Sequence, residues 1–210
     1  MNGFSCEKSP ANIKGLSKPT LFRGNEFTHA FQMITNTYGI PAYKEANPAL
    51  LSIISFPFLF GVMFGDIMHG ALMTIFASWL CWTKREPGTL AGALGEGRYL
   101  FLLMGIFAFY NGLLYNDFSS ASTETFGKSC YTTLTPKKED PHSVYAYRPS
   151  REEDPVAAEC VYPFGMDPIW FRSVQEITFM NSFKMKISVI LGVAQMLLGT
   201  MLKGLNAVYN

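Results

Sequence analysis

The chain has 210 residues, of which 49% are hydrophobic and only 16% are charged. Soluble domains carry about 25% charged residues, so this composition argues against an ordinary soluble protein. The net charge of +1 says nothing about nucleic-acid binding, and no basic patch suggests it. Three apolar blocks, 49–82, 99–115 and 185–202, together hold one Asp, one His and one Lys. Such blocks predict a polytopic membrane protein.

Residues 1–24 form a polar leader without the apolar core of a signal peptide. An amphipathic helix and a linker are predicted for 25–48, ahead of the first apolar block. Asn25 suits the N-cap, and Gly39 and Pro41 suit the stop. The apolar positions that recur at helical spacing are Phe27, Ala30, Phe31, Ile34 and Tyr38. This pattern favours a helix packed on a protein surface; a helix lying flat on lipid is the alternative.

The block 49–82 is too long for one ordinary crossing. As a single helix its 34 residues would extend about 50 Å, whereas a hydrocarbon core is roughly 30 Å thick. It is therefore either one tilted helix or a tight hairpin that turns near Asp66 and His69. Pro57 is expected to kink its first half. Trp79 and Trp82 suit a membrane interface at its end.

Two further crossings are predicted. One follows a cytosolic connector at 83–98 and completes the stretch 49–115, and the other covers 182–210. Small residues four apart allow helices to approach closely, although such spacings are common by chance. The glycines that this pattern nominates for helix packing are Gly61, Gly65, Gly112 and Gly192.

The segment 116–181 is predicted to be a long irregular loop outside the membrane. It contains ten acidic and six basic residues, and six prolines interrupt it. Cys130 and Cys160 both lie in this loop, where they form either a disulfide or two free thiols. Five basic residues lie in 1–48 and three in 83–98, whereas the loop is net acidic. If the block 49–82 is a hairpin, the positive-inside rule places these two segments in the cytosol and the acidic loop on the other side.

Asp66 and His69 are the side chains in the apolar blocks that are the best candidates for a chemical role. Their spacing of three places them on one helical face if the turn stays helical. A carboxylate and an imidazole within a membrane can relay protons. Alternatively, the two side chains cap and hold a tight hairpin. No catalytic residue, cofactor site or metal site is predicted elsewhere in the chain.

Several motifs in order resemble the large a subunit of vacuolar-type proton ATPases. The run 56–70 reads FPFLFGVMFGDIMHG and resembles the first membrane hairpin of that family. Residues 97–117 resemble its third helix, and the motifs YPFGMDP at 162–168 and NSFKMK at 181–186 resemble the end of its luminal loop and its fourth helix. The resemblance covers about residues 19–210.

The resemblance implies an all-α, polytopic membrane bundle of about four transmembrane helices, with a long luminal loop. It implies a stator subunit that is not itself an enzyme and contributes to proton translocation in an acidic endomembrane, vacuolar or other. The implied partners are the rotor ring of proteolipid subunits, the peripheral stalk and the lipid bilayer, with no cofactor and no nucleic acid.

The family's essential arginine lies on a later helix that 1–210 does not contain. The sequence therefore predicts a fragment or short form that does not pump protons alone. The alternative is a non-conducting scaffold or regulatory short paralogue that binds other pump subunits. With the arginine helix placed elsewhere, the hairpin role becomes the favoured interpretation of Asp66 and His69.

Overall fold

The structure is a computed structural model that describes residues 20–22, 24–43, 45–83, 92, 94–134, 145–147, 160–172 and 176–209. Five helices dominate it: α1 (Glu26–Tyr38), α2 (Ala49–Phe64), α3 (Ile67–Trp82), α4 (Arg98–Tyr115) and α5 (Glu176–Tyr209). Two antiparallel ribbons lie between α4 and α5. Their strands are β1 (Asp117–Phe118) with β2 (Ala121–Ser122), and β3 (Thr132–Leu134) with β4 (Tyr145–Tyr147). Short 3₁₀ turns cover Gly95–Gly97 and Pro168–Arg172.

Helix α1 begins after Asn25 and ends before Gly39, the residues nominated as its boundaries. The Asn25 amide donates to the Thr28 hydroxyl at 2.9 Å, which satisfies one of the free N–H groups of the first turn. Phe31 is buried on the inner face. At the entry to α4, Arg98 donates to Glu26 at 2.5 Å. Helix α1 thus packs on the chain's own helices, as expected of an amphipathic helix on a protein surface.

Helices α2, α3 and α4 form the core of the apolar region. Helix α4 runs parallel to α2 and antiparallel to α3, so it contacts both arms of the predicted hairpin. Glycines make these contacts close: a methyl group at Gly61 would lie 2.7 Å from the Phe107 carbonyl. A methyl group at Gly105 would likewise lie 2.7 Å from the Thr74 hydroxyl. Small residues therefore bring the three backbones together, as is usual for membrane helices.

Pro57 is buried inside α2, and the helix continues through it to Phe64. A break then follows at Gly65 and Asp66, so the block 49–82 consists of two helices. Each has 16 residues, or about 24 Å, which is shorter than the hydrocarbon thickness. Within the described ranges, the two helices long and apolar enough to span a membrane are Gly95–Tyr115 and Ile177–Tyr209. Four crossings remain a prediction.

Helix α5 begins earlier than the sequence suggested. It starts at Glu176, so the expected loop 116–181 ends inside a helix. The extra turn is stabilised by packing with the loop: the rings of Phe179 and Trp170 stack at 4.9 Å, and Met180 is buried. These residues precede the apolar block 185–202, so the hydrophobic pattern of that block did not reveal the earlier start of α5.

The segment after α4 is tied together by a covalent bond and by polar contacts. Cys130 and Cys160 form a disulfide with their Cα atoms 5.6 Å apart. The buried Asp167 accepts hydrogen bonds from the Cys130 amide at 3.1 Å and the Ile169 amide at 3.0 Å. The Met166 amide donates to the Leu114 carbonyl at 2.7 Å, which fastens this segment to the end of α4.

Candidate functional site

The turn between α2 and α3 is built by one glycine and one carboxylate. Gly65 leaves the helical conformation next to the ring of Tyr115, where a methyl group would lie 2.7 Å from a ring carbon. Asp66 then adopts an extended backbone and caps α3, because its Oδ1 atom accepts the Met68 amide at 3.0 Å. A side chain other than hydrogen at Gly65 would therefore separate the turn from α4.

Asp66 also connects the turn to the ribbon that follows α4. Its Oδ1 atom accepts a second hydrogen bond, from the Ser119 amide at 2.9 Å. Ser119 and Ser120 form the tip of the β1–β2 ribbon with positive φ angles of 54° and 65°, which are uncommon for residues other than glycine. One carboxylate oxygen thus holds the start of α3 and the ribbon tip together.

The other carboxylate oxygen of Asp66 contacts Nδ1 of His69. The Asp66 side chain is 14% exposed and the His69 side chain 50% exposed, so the pair lies at the edge of the folded chain. The His69 ring also packs edge-on against Phe64 at the end of α2. Chemically the pair can exchange a proton or act as an ionic clasp across the turn. No group of three or more potential metal-binding side chains occurs within the described residues.

An ion pair that the sequence did not nominate lies beside this turn. Lys184 of α5 approaches Asp117 at 3.3 Å, and both side chains are largely buried. The same ammonium group donates to the Gly65 carbonyl at 3.4 Å and lies 4.9 Å from the centre of the Tyr115 ring. Lys184 thus joins α5 to the turn and to the end of α4. The only local signal was the run of polar residues at 115–117, which also suits any helix that meets water.

Hydrogen bonds from the end of α4 hold it to α2 and to the segment that precedes α5. The Tyr115 hydroxyl donates to the Val62 carbonyl at 2.9 Å. Asn116 is fully buried, ends α4 in the left-handed conformation and donates from Nδ2 to the Met166 carbonyl at 2.6 Å. A methyl group at Gly112 would overlap the backbone of Asp66. Five elements, α2, α3, α4, β1 and α5, therefore meet here. We call Gly65, Asp66, His69, Tyr115, Asp117 and Lys184 the turn cluster.

The nominated residues have different surroundings in the structure. Asp66, His69, Gly65 and Gly112 are brought together at the turn, and Gly61 contacts α4 one turn of helix away. Gly192 stands apart, because a methyl group on it would meet no described atom within 4 Å. Its packing role therefore remains a prediction.

These features define a class of protein. The chain is a helical protein with two described helices of membrane-spanning length and apolarity, and the polar contacts of the turn cluster join its helices and its β1–β2 ribbon. The family follows from sequence comparison. A model of the V-type ATPase 116 kDa subunit family matches residues 5–210, and the chain belongs to that family. The family predicted from the sequence motifs is thereby confirmed.

Relatives from animals and plants agree with this assignment. The chain is 43% identical over 201 residues to V-type proton ATPase 116 kDa subunit a 1 of Gallus gallus and 41% identical over 203 residues to subunit a 4 of Homo sapiens. It is 43% identical over 198 residues to V-type proton ATPase subunit a1 of Arabidopsis thaliana. Each match covers 91% of this chain but only 23–24% of the relative, so the chain spans about a quarter of their length.

Proposed function

We propose that this chain contributes the early helices of the membrane part of a V-type proton ATPase, as a segment of its stator subunit. The observation that carries the proposal is the 41–43% identity to subunit a proteins along 91% of the chain. In this role the helices anchor the subunit in the bilayer and support the proton path. The rotor ring and the peripheral stalk are the proposed partners.

The test is complementation. Cells that lack their own subunit a would receive a full-length subunit in which residues 20–209 of this chain replace the matching segment. ATP-driven acidification of isolated vesicles is the readout. Restored acidification supports the proposal. The proposal is contradicted if the hybrid subunit reaches the membrane but restores no acidification, while the unmodified subunit restores it. Residues 1–210 reconstituted alone are expected to conduct no protons.

We further propose that residues 117–175 face the lumen of an acidic compartment and that 20–48 face the cytosol. The Cys130–Cys160 disulfide supports this sidedness, because disulfides persist in oxidising compartments and rarely in the cytosol. The net charge of the segment 116–181 is −4, whereas 1–48 and 83–98 carry five and three basic residues. Membrane-impermeant maleimide applied to sealed vesicles should label a cysteine placed at Ser119 only after permeabilisation, and one placed at Asn36 without it.

For Asp66 and His69 we propose a structural role, as the clasp of the turn between α2 and α3. The two amide hydrogen bonds accepted by Asp66 Oδ1 support this role, since both join elements of the fold. Substitution separates the clasp from a proton relay. Asp66→Asn that assembles normally but abolishes pumping favours the relay. Asp66→Asn that keeps pumping, together with lost assembly of Asp66→Ala, favours the clasp.

A further inference from the structure

The disulfide between Cys130 and Cys160 ties together two stretches of the segment that follows α4. One stretch leads into β3, and the other covers 160–172, which we call the latch. The non-covalent contacts between the two stretches include the hydrogen bond from the Cys130 amide to the buried Asp167 at 3.1 Å. The disulfide adds a covalent restraint to these contacts, so it carries much of the hold on the latch.

The latch closes on the last turn of α4. The Met166 amide donates to the Leu114 carbonyl at 2.7 Å, and Nδ2 of the buried Asn116 donates to the Met166 carbonyl at 2.6 Å. Gly165 has a φ angle of 78°, and a methyl group there would overlap the Leu114 carbonyl. Because this conformation and this space suit glycine alone, the latch fits α4 in one way.

The latch also contacts the first turns of α5. The ring of Trp170 stacks on Phe179 with centroids 4.9 Å apart, and it lies 6.1 Å from the ring of Tyr131 in the other stretch. Met180, the next residue of α5, is buried. Lys184, the member of the turn cluster on α5, follows one helical turn later. The latch therefore supports the turn of α5 that leads to the turn cluster.

Neither cysteine of the pair is buried, so the disulfide is accessible to a thiol in solution. Exposed disulfides are the labile ones, whereas structural disulfides of secreted proteins resist reduction. We propose that Cys130–Cys160 is a redox switch for the latch. In the oxidised chain the latch is held on α4 and α5. In the reduced chain it detaches from α4, and the first turns of α5 loosen. The inference rests on the proposed function, which places the switch on the luminal side of the pump.

The reductant is a dithiol, and the reaction is thiol–disulfide exchange. One thiolate of the dithiol attacks a sulfur of the pair, the S–S bond breaks, and the departing cysteine thiolate takes up a proton. The second thiolate of the dithiol then attacks the mixed disulfide and releases the other cysteine. The dithiol loses two electrons and two protons and becomes a disulfide. Cys130 and Cys160 gain those electrons and protons and become two thiols.

Hydrogen exchange tests the release of the latch in the full-length subunit carrying this segment, purified in mild detergent. Reduction with dithiothreitol should speed exchange of the Met166 amide by about 100- to 1,000-fold, because a 30-residue loop is no longer closed by the disulfide. Exchange over 180–183 should rise with it, whereas the amide of Leu80 in α3 should not change. Equal exchange of the latch in the oxidised and reduced subunit would overturn the inference.

ATP-driven acidification of vesicles tests whether the switch acts on the pump. Dithiothreitol should slow acidification by the unmodified subunit, because the turn of α5 before Lys184 loses the support of the latch. The double variant Cys130→Ser, Cys160→Ser should acidify at the slow rate with or without the reductant. Cys81→Ser is the matched control, because Cys81 is a free cysteine outside the pair. It should respond to the reductant as the unmodified subunit does.

Three results would overturn the inference. In the first, the reductant leaves acidification by the unmodified subunit unchanged. In the second, it slows the double variant as much as the unmodified subunit, which would place the sensitive thiols elsewhere in the pump. In the third, Cys81→Ser abolishes the response. If the untreated, unmodified subunit does not acidify the vesicles at all, the proposed function is contradicted instead.

Discussion

Replacement of Asp66 should reveal whether its acceptor geometry or its charge holds the turn. Both amide hydrogen bonds, from Met68 at 3.0 Å and from Ser119 at 2.9 Å, end on the same oxygen, Oδ1. Asparagine keeps that oxygen, whereas alanine removes it. The structure therefore predicts a graded response, in which Asp66→Asn is mild and Asp66→Ala is severe.

The magnitudes follow from the contacts. Loss of an N-cap acceptor costs about 1 kcal/mol, and loss of a hydrogen bond to a charged group about 1.5 kcal/mol. Asp66→Ala should thus destabilise the fold by about 2.5 kcal/mol. Charge-assisted hydrogen bonds are roughly twice as strong as neutral ones, so Asp66→Asn should cost about 1 kcal/mol. The contact with His69 adds little, because that side chain is half exposed.

The assay is reversible unfolding of the purified chain in mixed micelles titrated with dodecyl sulfate, followed by tryptophan fluorescence. Trp79 and Trp82 at the end of α3 report on the helix that Asp66 caps. Equal destabilisation by Asp66→Asn and Asp66→Ala would refute the view that the Oδ1 acceptor holds the turn, and would show that the negative charge does. If Asp66→Ala does not destabilise the fold, Asp66 has no role as a clasp of the turn.

Other substitutions probe the packing and the loop. Gly105→Ala should cost about 1–3 kcal/mol in the same assay because its methyl group meets Thr74, whereas Gly199→Ala should be neutral or slightly stabilising. Lys184→Met should cost about 2–3 kcal/mol, since the carboxylate of Asp117 stays largely buried without its cation; adding Asp117→Asn should recover part of that loss. Cys160→Ser should remove about 3–4 kcal/mol of loop stability, seen as faster proteolysis of 117–175 while α2–α4 remain intact.

The sequence predicted the elements whose signals are local. The length of the apolar run 49–82 left two alternatives, one tilted helix or a hairpin that turns near Asp66 and His69, and the structure has a break at Gly65 and Asp66. The limits of α1 followed from Asn25 and Gly39 for the same reason. The family was predicted correctly because several of its motifs occur in this chain in the same order.

Contacts between residues far apart in the chain could not be predicted from the sequence. Lys184 and Asp117 are 67 residues apart, and neither is unusual in its own segment. The early start of α5 depends on the stacking of Phe179 on Trp170 across the end of the loop. Spacing also could not tell which glycine faces a neighbour: a methyl group at Gly112 would overlap the turn, whereas one at Gly192 would meet no described atom within 4 Å.

The central claim is that this chain works as a segment of a V-type pump. The most direct measurement is purification of the full-length subunit carrying this segment from endomembranes in mild detergent, followed by native electrophoresis and mass spectrometry. The proposal predicts that rotor-ring and peripheral-stalk subunits co-purify with it in one complex that hydrolyses ATP. A correctly inserted subunit that migrates free of every other ATPase subunit would contradict the claim.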